Sequence, residues 1–213
     1  MKKDFKKEIE NLMKLEGKTK GEVFKTDAEY LLEKEGKEGL KIVQEETKRL
    51  GYPIPYERIK GTDWYPIGLR VVSFFAIMNT LNWKEREIEE MGKFAPKISF
   101  IVKIFMRTFL SPEVAVKQAP RIWPRHYNVG ELKTSEFKEE KKNDNEIEGS
   151  CVISIFNFKV HPILCSYLKG YFLGLAEAIV GKKSIKEIRC DEIKCIFKGG
   201  EYHQYFLKWI RYE

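Results

Sequence analysis

In the stretch CIFKGGEYHQYF, residues 195–206, a cysteine and a histidine lie eight positions apart with Gly199 and Gly200 between them. Thiolate sulfur and imidazole nitrogen are ligands that zinc accepts, and a β-hairpin could bring Cys195 and His203 face to face. Side-chain parity tests the idea. His203, Tyr205, Leu207 and Trp209 share one face of the last segment, and Ile193, Cys195 and Phe197 share one face of the segment before it. A two-residue Gly199-Gly200 turn sets Cys195 against Gln204 and sends His203 to the wrong side. A three-residue loop, Lys198-Gly199-Gly200, sets Cys195 opposite His203, with Gly200 in the left-handed conformation. Ile188 and Cys190 have the opposite parity, which a bulge near Asp191-Glu192 would correct. Cys195 and His203 are therefore expected to be cross-strand neighbours pointing at the core. Zinc needs three or four ligands, so the candidate metal set is Cys165, Cys190, Cys195 and His203, with His161 in reserve, if the fold gathers them. Ordinary packing is favoured for these residues, because free cysteine is among the most buried residue types.

Other chemistry-bearing residues are sparse. The chain has no P-loop, GxGxxG, HExxH or nucleophile elbow. His126, in RHYNVG, reads as a surface or structural residue. Glu177 interrupts an apolar helix and reads as lying at its wet edge. Gly170, Gly174 and Ala178 form a small-residue stripe that permits close helix packing.

These residues must be positioned by the elements around them. With 213 residues, 43% hydrophobic and 13% aromatic, the chain can build a full core. Its formal charge of +7 is uneven: residues 97–125 carry six basic side chains (Lys97, Lys103, Arg107, Lys117, Arg121, Arg125) against Glu113 alone. The segment after Met1-Lys2-Lys3-Asp4 is charged and amphipathic, and the long apolar segments are interrupted by Arg70, by Lys103 and Arg107, or by Glu177. A soluble, cytoplasmic protein with reduced cysteines is expected.

The N-terminal half, 1–125, reads as helices: 5–15, 26–32 capped by Thr26 or Asp27 and ended by Gly36, 40–50, 66–83, a short exposed one in KEREIEEMGKF, 98–110, and one capped by Ser111. From 126 to 213 the pattern becomes β-β-α-β-β. Its strands lie in VGELKTSEFKEE, SCVISIFNFKV, KSIKEIRCDEIKCIFK and EYHQYFLKWIRY, with a helix from His161-Pro162 to Ile179. The expected architecture is a single α+β domain, with N-terminal helices packed on a four-stranded antiparallel sheet.

Residues 165–209, from CSYLKGYFLGLAEAIVGKK to the final hairpin, resemble the C-terminal signature of the 4-vinyl reductase domain. That signature is a cysteine before a GxxxG helix, a glycine ending the helix, and C-x3-G-x3-C. Cys165, Gly170, Gly174, Gly181, Cys195 and Gly199 match it, and His203 stands at the last cysteine. The wider superfamily includes haem nitric-oxide sensors and TRAPP small subunits. The resemblance implies a buried apolar pocket, frequent homodimers, and binding of a small hydrophobic ligand without catalysis. That pocket is expected between the sheet and helices 66–83 and 98–110, lined by Phe74, Phe75, Met78, Phe105, Phe109, Phe172 and Leu175. Haem is not expected, because YERIK at 56–60 departs from the haem sensors' Tyr-x-Ser-x-Arg motif. Zinc is allowed but not favoured. The alternative reading is a dimeric adaptor docking through the basic 97–125 face on an acidic protein or anionic membrane. Nucleic acid is not expected, since no recognition motif accompanies the basic residues. An enzymatic role ranks below both, because the chain has no dinucleotide fingerprint to supply hydride.

Overall fold

The computed structural model describes residues 6–106, 111–181 and 185–212. Helix α1 (Lys6–Leu12) and strand β1 (Lys18–Lys20) lead into the long helix α2 (Glu22–Arg49). The two helices expected on either side of Gly36 are one run broken at that residue, whose φ of 69° and ψ of −171° suit only glycine. Thr26 and Asp27 do not cap a helix. They lie inside α2 and are buried. Strand β2 (Trp64–Pro66) pairs antiparallel with β1 and enters helix α3 (Ile67–Leu81).

Helices α4 (Glu85–Ile98), α5 (Phe100–Met106), α6 (Pro112–Gln118) and α7 (Trp123–His126) complete the helical half. KEREIEEMGKF is thus the first part of a longer helix. Ser111 caps α6 as expected, its Oγ accepting the Val114 N–H at 3.3 Å.

The rest is a four-stranded antiparallel sheet with one helix. Strands β3 (Glu131–Asn143) and β4 (Glu146–Phe156) form a hairpin, helix α8 (Ile163–Val180) crosses over, and β5 (Ile185–Lys194) and β6 (His203–Tyr212) follow. The order β3-β4-β6-β5 puts β6 in the interior. This is the expected α+β architecture. The interior strands explain the composition: β4 and β6 present buried residues such as Cys151, Ile153, Ile155, Tyr205, Leu207 and Trp209, where β-branched and aromatic side chains pack well.

Helix α8 is the pivot between the halves. It is long and apolar enough to cross a membrane, yet half of it is buried within the fold. Its small-residue stripe lies against α4. A Cβ at Gly170 would come within 1.9 Å of the Glu89 carbonyl, one at Gly174 within 2.2 Å of the Lys93 carbonyl, and one at Gly92 within 2.0 Å of the Tyr167 carbonyl. Lys169–Glu89 and Lys93–Glu177 ion pairs at 3.1 and 2.8 Å flank the contact. Glu177 is thus half-buried and paired.

Gly170→Ala must therefore force α4 and α8 apart. It is expected to destabilise the chain by about 1–3 kcal/mol, lowering Tm by about 2–4 °C for each kcal/mol, as thermal denaturation followed by circular dichroism would show.

Candidate functional site

Among the described residues, two places gather chemistry-bearing side chains, and both touch α8. The first is at its N-terminal end. Cys165 in the first turn of α8, Glu192 near the end of β5, Cys195 just beyond it and His203 opening β6 place their ligand atoms within 4.8 Å of one another. Cys165 Sγ lies 3.7 Å from Cys195 Sγ and 3.7 Å from His203 Nδ1, and His203 Nδ1 lies 3.5 Å from Glu192 Oε1. A tetrahedral zinc with bonds of ~2.3 Å to sulfur and ~2.0 Å to nitrogen needs a sulfur–sulfur separation of about 3.8 Å and a sulfur–nitrogen separation of about 3.5 Å. The Cys165–Cys195 and Cys165–His203 separations lie within about 0.2 Å of those spacings.

The surrounding hydrogen bonds suit a metal. His203 is buried, and its Nε2–H donates to the Phe158 carbonyl at 3.0 Å. That bond fixes the tautomer and turns the Nδ1 lone pair toward the sulfurs. Glu192 Oε1 is buried without a hydrogen-bond partner among the described residues, while Oε2 accepts from Lys198 Nζ at 3.3 Å. Burial pushes the Glu192 carboxyl up, but the polar groups of His203, Cys195, Lys198 and Cys165 gathered around it outweigh that and hold the group at about 2. Burial first, then the charge of Glu192 and the neighbouring Cys195, push the Cys165 thiol far up. A divalent cation would offset both the crowded negative charge and the orphaned oxygen.

The hairpin geometry explains which residues meet. Lys194 pairs with Gln204, so the register carried one step further sets Cys195 opposite His203. The connection is not a simple three-residue loop. A 3-10 turn spans Ile196–Lys198, Gly199 rather than Gly200 is left-handed at φ 87°, and the Cys195 carbonyl accepts from Lys198 N and Gly200 N. The bulge falls between Glu192 and Lys194. It turns Glu192 inward and leaves Ile193 exposed. Cys190 is buried opposite Leu207 and stays outside the cluster, where Glu192 takes the fourth position. His161 is also outside, bonding Glu8 at 3.0 Å and resting against Phe75.

The second place is an interior pocket between α2, α7, β3, β4 and α8, with about 40 Å³ of free space. Its walls include Val23, Ala95, Ile122, Trp123, Leu132, Ile153, Leu168, Phe172 and Leu175. Of the residues expected to line a pocket, Phe172 and Leu175 do so, whereas Phe74 and Phe75 are close-packed core and Met78 packs at its margin. The Phe105 side chain and Phe109 lie outside the described residues.

Polar groups interrupt these apolar walls. His126, fully buried, donates Nδ1–H to the Ile122 carbonyl at 3.3 Å, which leaves the Nε2 lone pair free. Burial, opposed by the Ile122 hydrogen bond and aided by the charge of Arg70, depresses its imidazolium to about 4, so it is neutral. Thr19 of β1 bonds the His126 carbonyl at 3.1 Å and fixes this end of α7. Tyr127, Tyr167 and Tyr171 also line the pocket. Behind them Arg70 stacks 4.3 Å over the Tyr167 ring and pairs with Asp27 at 3.3 Å, both fully buried. Burial pushes Asp27 up to about 6 despite the pull of Arg70. Arg70 Nε and Nη1, Asp27 Oδ2 and the Tyr171 hydroxyl have no hydrogen-bond partner among the described residues.

Sequence reasoning missed Glu192, His126, Arg70 and the tyrosines. Tyr167 and Tyr171, four apart on α8, carried the one readable signal: a polar-tipped aromatic face beside the glycine stripe.

Against known proteins, no family model and no curated protein matches the sequence. Solved structures do match. An H-NOX protein from S. oneidensis in the Fe(II) ligation state, solved as a triple mutant, superposes with TM-score 0.61 at 13% identity, covering 91% of this chain and 97% of that one. An oxygen-binding H-NOX domain related to soluble guanylate cyclases, solved as its oxygen complex, gives TM-score 0.56 at 14% identity, with 91% and 95% covered. An H-NOX structure from work on haem distortion gives 0.54 at 16%, again with 91% and 95% covered. The chain has the H-NOX fold.

This corrects two expectations. The likeness runs to H-NOX domains and not to the 4-vinyl reductase domain or to TRAPP subunits, since glycines and cysteines at the α8–hairpin corner follow from close packing as readily as from that signature. The expectation against haem also falls, because neighbours in this fold carry haem iron. It rested on YERIK, but Tyr56 is buried against Ser73, at 2.6 Å between oxygens, while the free imidazole comes from His126.

Two outcomes test this description. After loading with Zn(II) and gel filtration, the chain is expected to retain one ion. Cys195→Ser and His203→Ala should each weaken binding by more than about 100-fold, and Cys190→Ser should not, as competition with a chromophoric chelator would measure. Arg70→Ala strands Asp27 in the core and is expected to cost about 3–5 kcal/mol in urea denaturation, whereas an apolar replacement of both partners costs far less.

Proposed function

We propose that this chain is a small-molecule sensor domain whose ligand seat is the interior pocket beneath α8, with zinc held at the Cys165–Glu192–Cys195–His203 cluster as a structural ion. One observation carries the sensor reading. The pocket has apolar walls, yet buried polar groups with no hydrogen-bond partner among the described residues lie at it and behind it: the Tyr171 hydroxyl and Arg70 Nε and Nη1. Native interiors satisfy such groups, so a ligand with an apolar body and polar features suits the seat.

Haem is the cofactor that the fold implies, and the donor chemistry fits it at His126, a neutral imidazole oriented by a backbone carbonyl in an apolar wall. Bound there, haem would supply an iron able to take up a diatomic gas, as the NO and oxygen complexes of the neighbours do. The free space of about 40 Å³ is near that of one water molecule, so the walls around Trp123 and Tyr171 must part to admit any larger ligand. Trp123 is held by an indole N–H bond to the Val129 carbonyl at 3.0 Å, which ties wall movement to the loop before β3. Arg70, charged and fixed by Asp27, supplies positive potential behind the tyrosines, and its stacking on Tyr167 passes any shift of α8 to α3.

The zinc would join α8, β5 and the start of β6 at this corner. Such ions contribute folding energy directly.

Haem titration of the purified chain is expected to give a saturable Soret band at one haem per chain, shifting when NO or CO is added. His126→Ala should abolish the gas-sensitive band. A chain that takes up no haem, or an alanine variant with an unchanged spectrum, would overturn His126 as the iron-holding residue.

A further inference from the structure

The metal cluster is not sealed. Cys165, Glu192 and Cys195 line an open groove of about 380 Å³ together with Ser166, Lys169, Lys198, Phe197, Glu85, Glu89 and Asp191. His203 lies behind, buried. Glu192, whose Oε1 is buried, would therefore screen an ion at the cluster from the groove, and the ion would meet solvent if that carboxylate swung away. The four donors are also unequal. Two thiolates and an imidazole make a soft, nitrogen–sulfur set, and the carboxylate is its one hard member. Lys198 already holds the second oxygen of Glu192 at 3.3 Å and lies at the groove edge, so it would receive the carboxylate if the metal bond opened.

We infer that the fourth position of this metal centre exchanges, and that the groove admits a small zwitterionic thiol of the cysteine type as an incoming ligand. The inference rests on the zinc reading given above. The ligand class follows from the groove. A third soft sulfur matches the two thiolates better than a carboxylate does. Lys169, paired with Glu89 at 3.1 Å, offers a cation to a ligand carboxylate, and Glu85, Glu89 and Asp191 offer anions to its ammonium. The volume lies at the lower end of small-molecule sites. In the exchange, the bond from metal to Glu192 Oε1 breaks and a bond from metal to the thiol sulfur forms. The thiol proton passes to a buffer base, the freed carboxylate stays with Lys198, and no electrons change hands. The site differs from a closed structural zinc in keeping a replaceable position, as zinc sites that bind exogenous ligands do.

The test uses the full chain loaded with Co(II) in place of zinc, whose absorption reports the number of bound sulfurs. L-cysteine is expected to raise the sulfur-to-cobalt charge-transfer band saturably while the cobalt stays with the protein on gel filtration. L-serine should leave the band unchanged, and 2-mercaptoethanol should bind about tenfold more weakly. Glu192→Ala should still take cobalt and should bind L-cysteine about tenfold more tightly, because no carboxylate competes. Lys169→Glu should weaken L-cysteine without altering cobalt content. A cobalt chain whose spectrum ignores L-cysteine, a cobalt ion stripped into the small-molecule fraction, or a Glu192→Ala variant of unchanged cysteine affinity overturns the exchange while leaving the metal centre standing. A chain that takes no cobalt and no zinc overturns the metal centre itself.

Discussion

Helices α4 and α8 touch backbone to backbone, and the placement of both candidate sites depends on that contact. Gly92, Gly170 and Gly174 remove the Cβ atoms that would hold the helices apart. The close approach seats α8 with its glycine face on α4, which frees the face bearing Tyr167, Leu168, Tyr171, Phe172 and Leu175 for the pocket. It also sets the height of the N-terminal end of α8, and so the position of Cys165 above the hairpin. A helix packed at the usual 8–10 Å between axes would lift Cys165 away from Cys195 and open the pocket. The flanking Lys169–Glu89 and Lys93–Glu177 pairs fix the register along the contact, though partly exposed pairs of this kind add little energy.

The buried Arg70–Asp27 pair has a different logic. Two charges leave water completely, and only one contact of 3.3 Å joins them. Such pairs seldom add net stability over an apolar replacement. Arg70 is also sandwiched against Phe74 and Tyr167 at 5.1 and 4.3 Å, which recovers part of the cost through cation–π attraction. What the pair provides is placement. Asp27 on α2, Arg70 on α3 and Tyr167 on α8 are held in one stack immediately behind the pocket. That accounts for a polar group where the helix pattern alone calls for leucine.

Much of the fold was legible in the sequence. Alternation in 126–213 gave β-β-α-β-β because interior strands need apolar residues of fixed parity, and the same parity placed Cys195 opposite His203. Glu192 was not legible. The bulge lies after it rather than before it, so Glu192 turns inward and Ile193 outward, and no propensity marks which side of a bulge a residue takes. The helix break at Gly36 was legible as an end but not as a kink, since glycine serves both. Phe74 and Phe75 looked like pocket residues because hydrophobicity marks burial, whereas a void depends on how three elements fail to meet. His126 reads from the sequence as a surface or structural residue, and contacts from three elements settle it inside: Thr19 of β1 on its carbonyl, Ile122 on Nδ1 and the Tyr171 ring of α8.

Besides α8, Phe158 joins the two sites. The carbonyl of Phe158 accepts the Nε2–H of His203, and its ring packs edge-on against Trp123 at 5.1 Å and Tyr127 at 5.5 Å. Trp123 and Tyr127 are pocket walls. A wall movement that makes room for a ligand must therefore either slide these rings past Phe158 or carry it along. In the second case the His203 hydrogen bond stretches, and that bond sets which imidazole nitrogen faces the metal donors. Cys165 constrains the same corner from the other side, since the Tyr205 hydroxyl reaches its carbonyl at 3.5 Å and Phe172 packs against the Tyr205 ring at 5.1 Å. Close-packed aromatic contacts of this kind have few intermediate arrangements. The corner thus couples the geometry of the pocket walls to that of the donors through side chains that already touch.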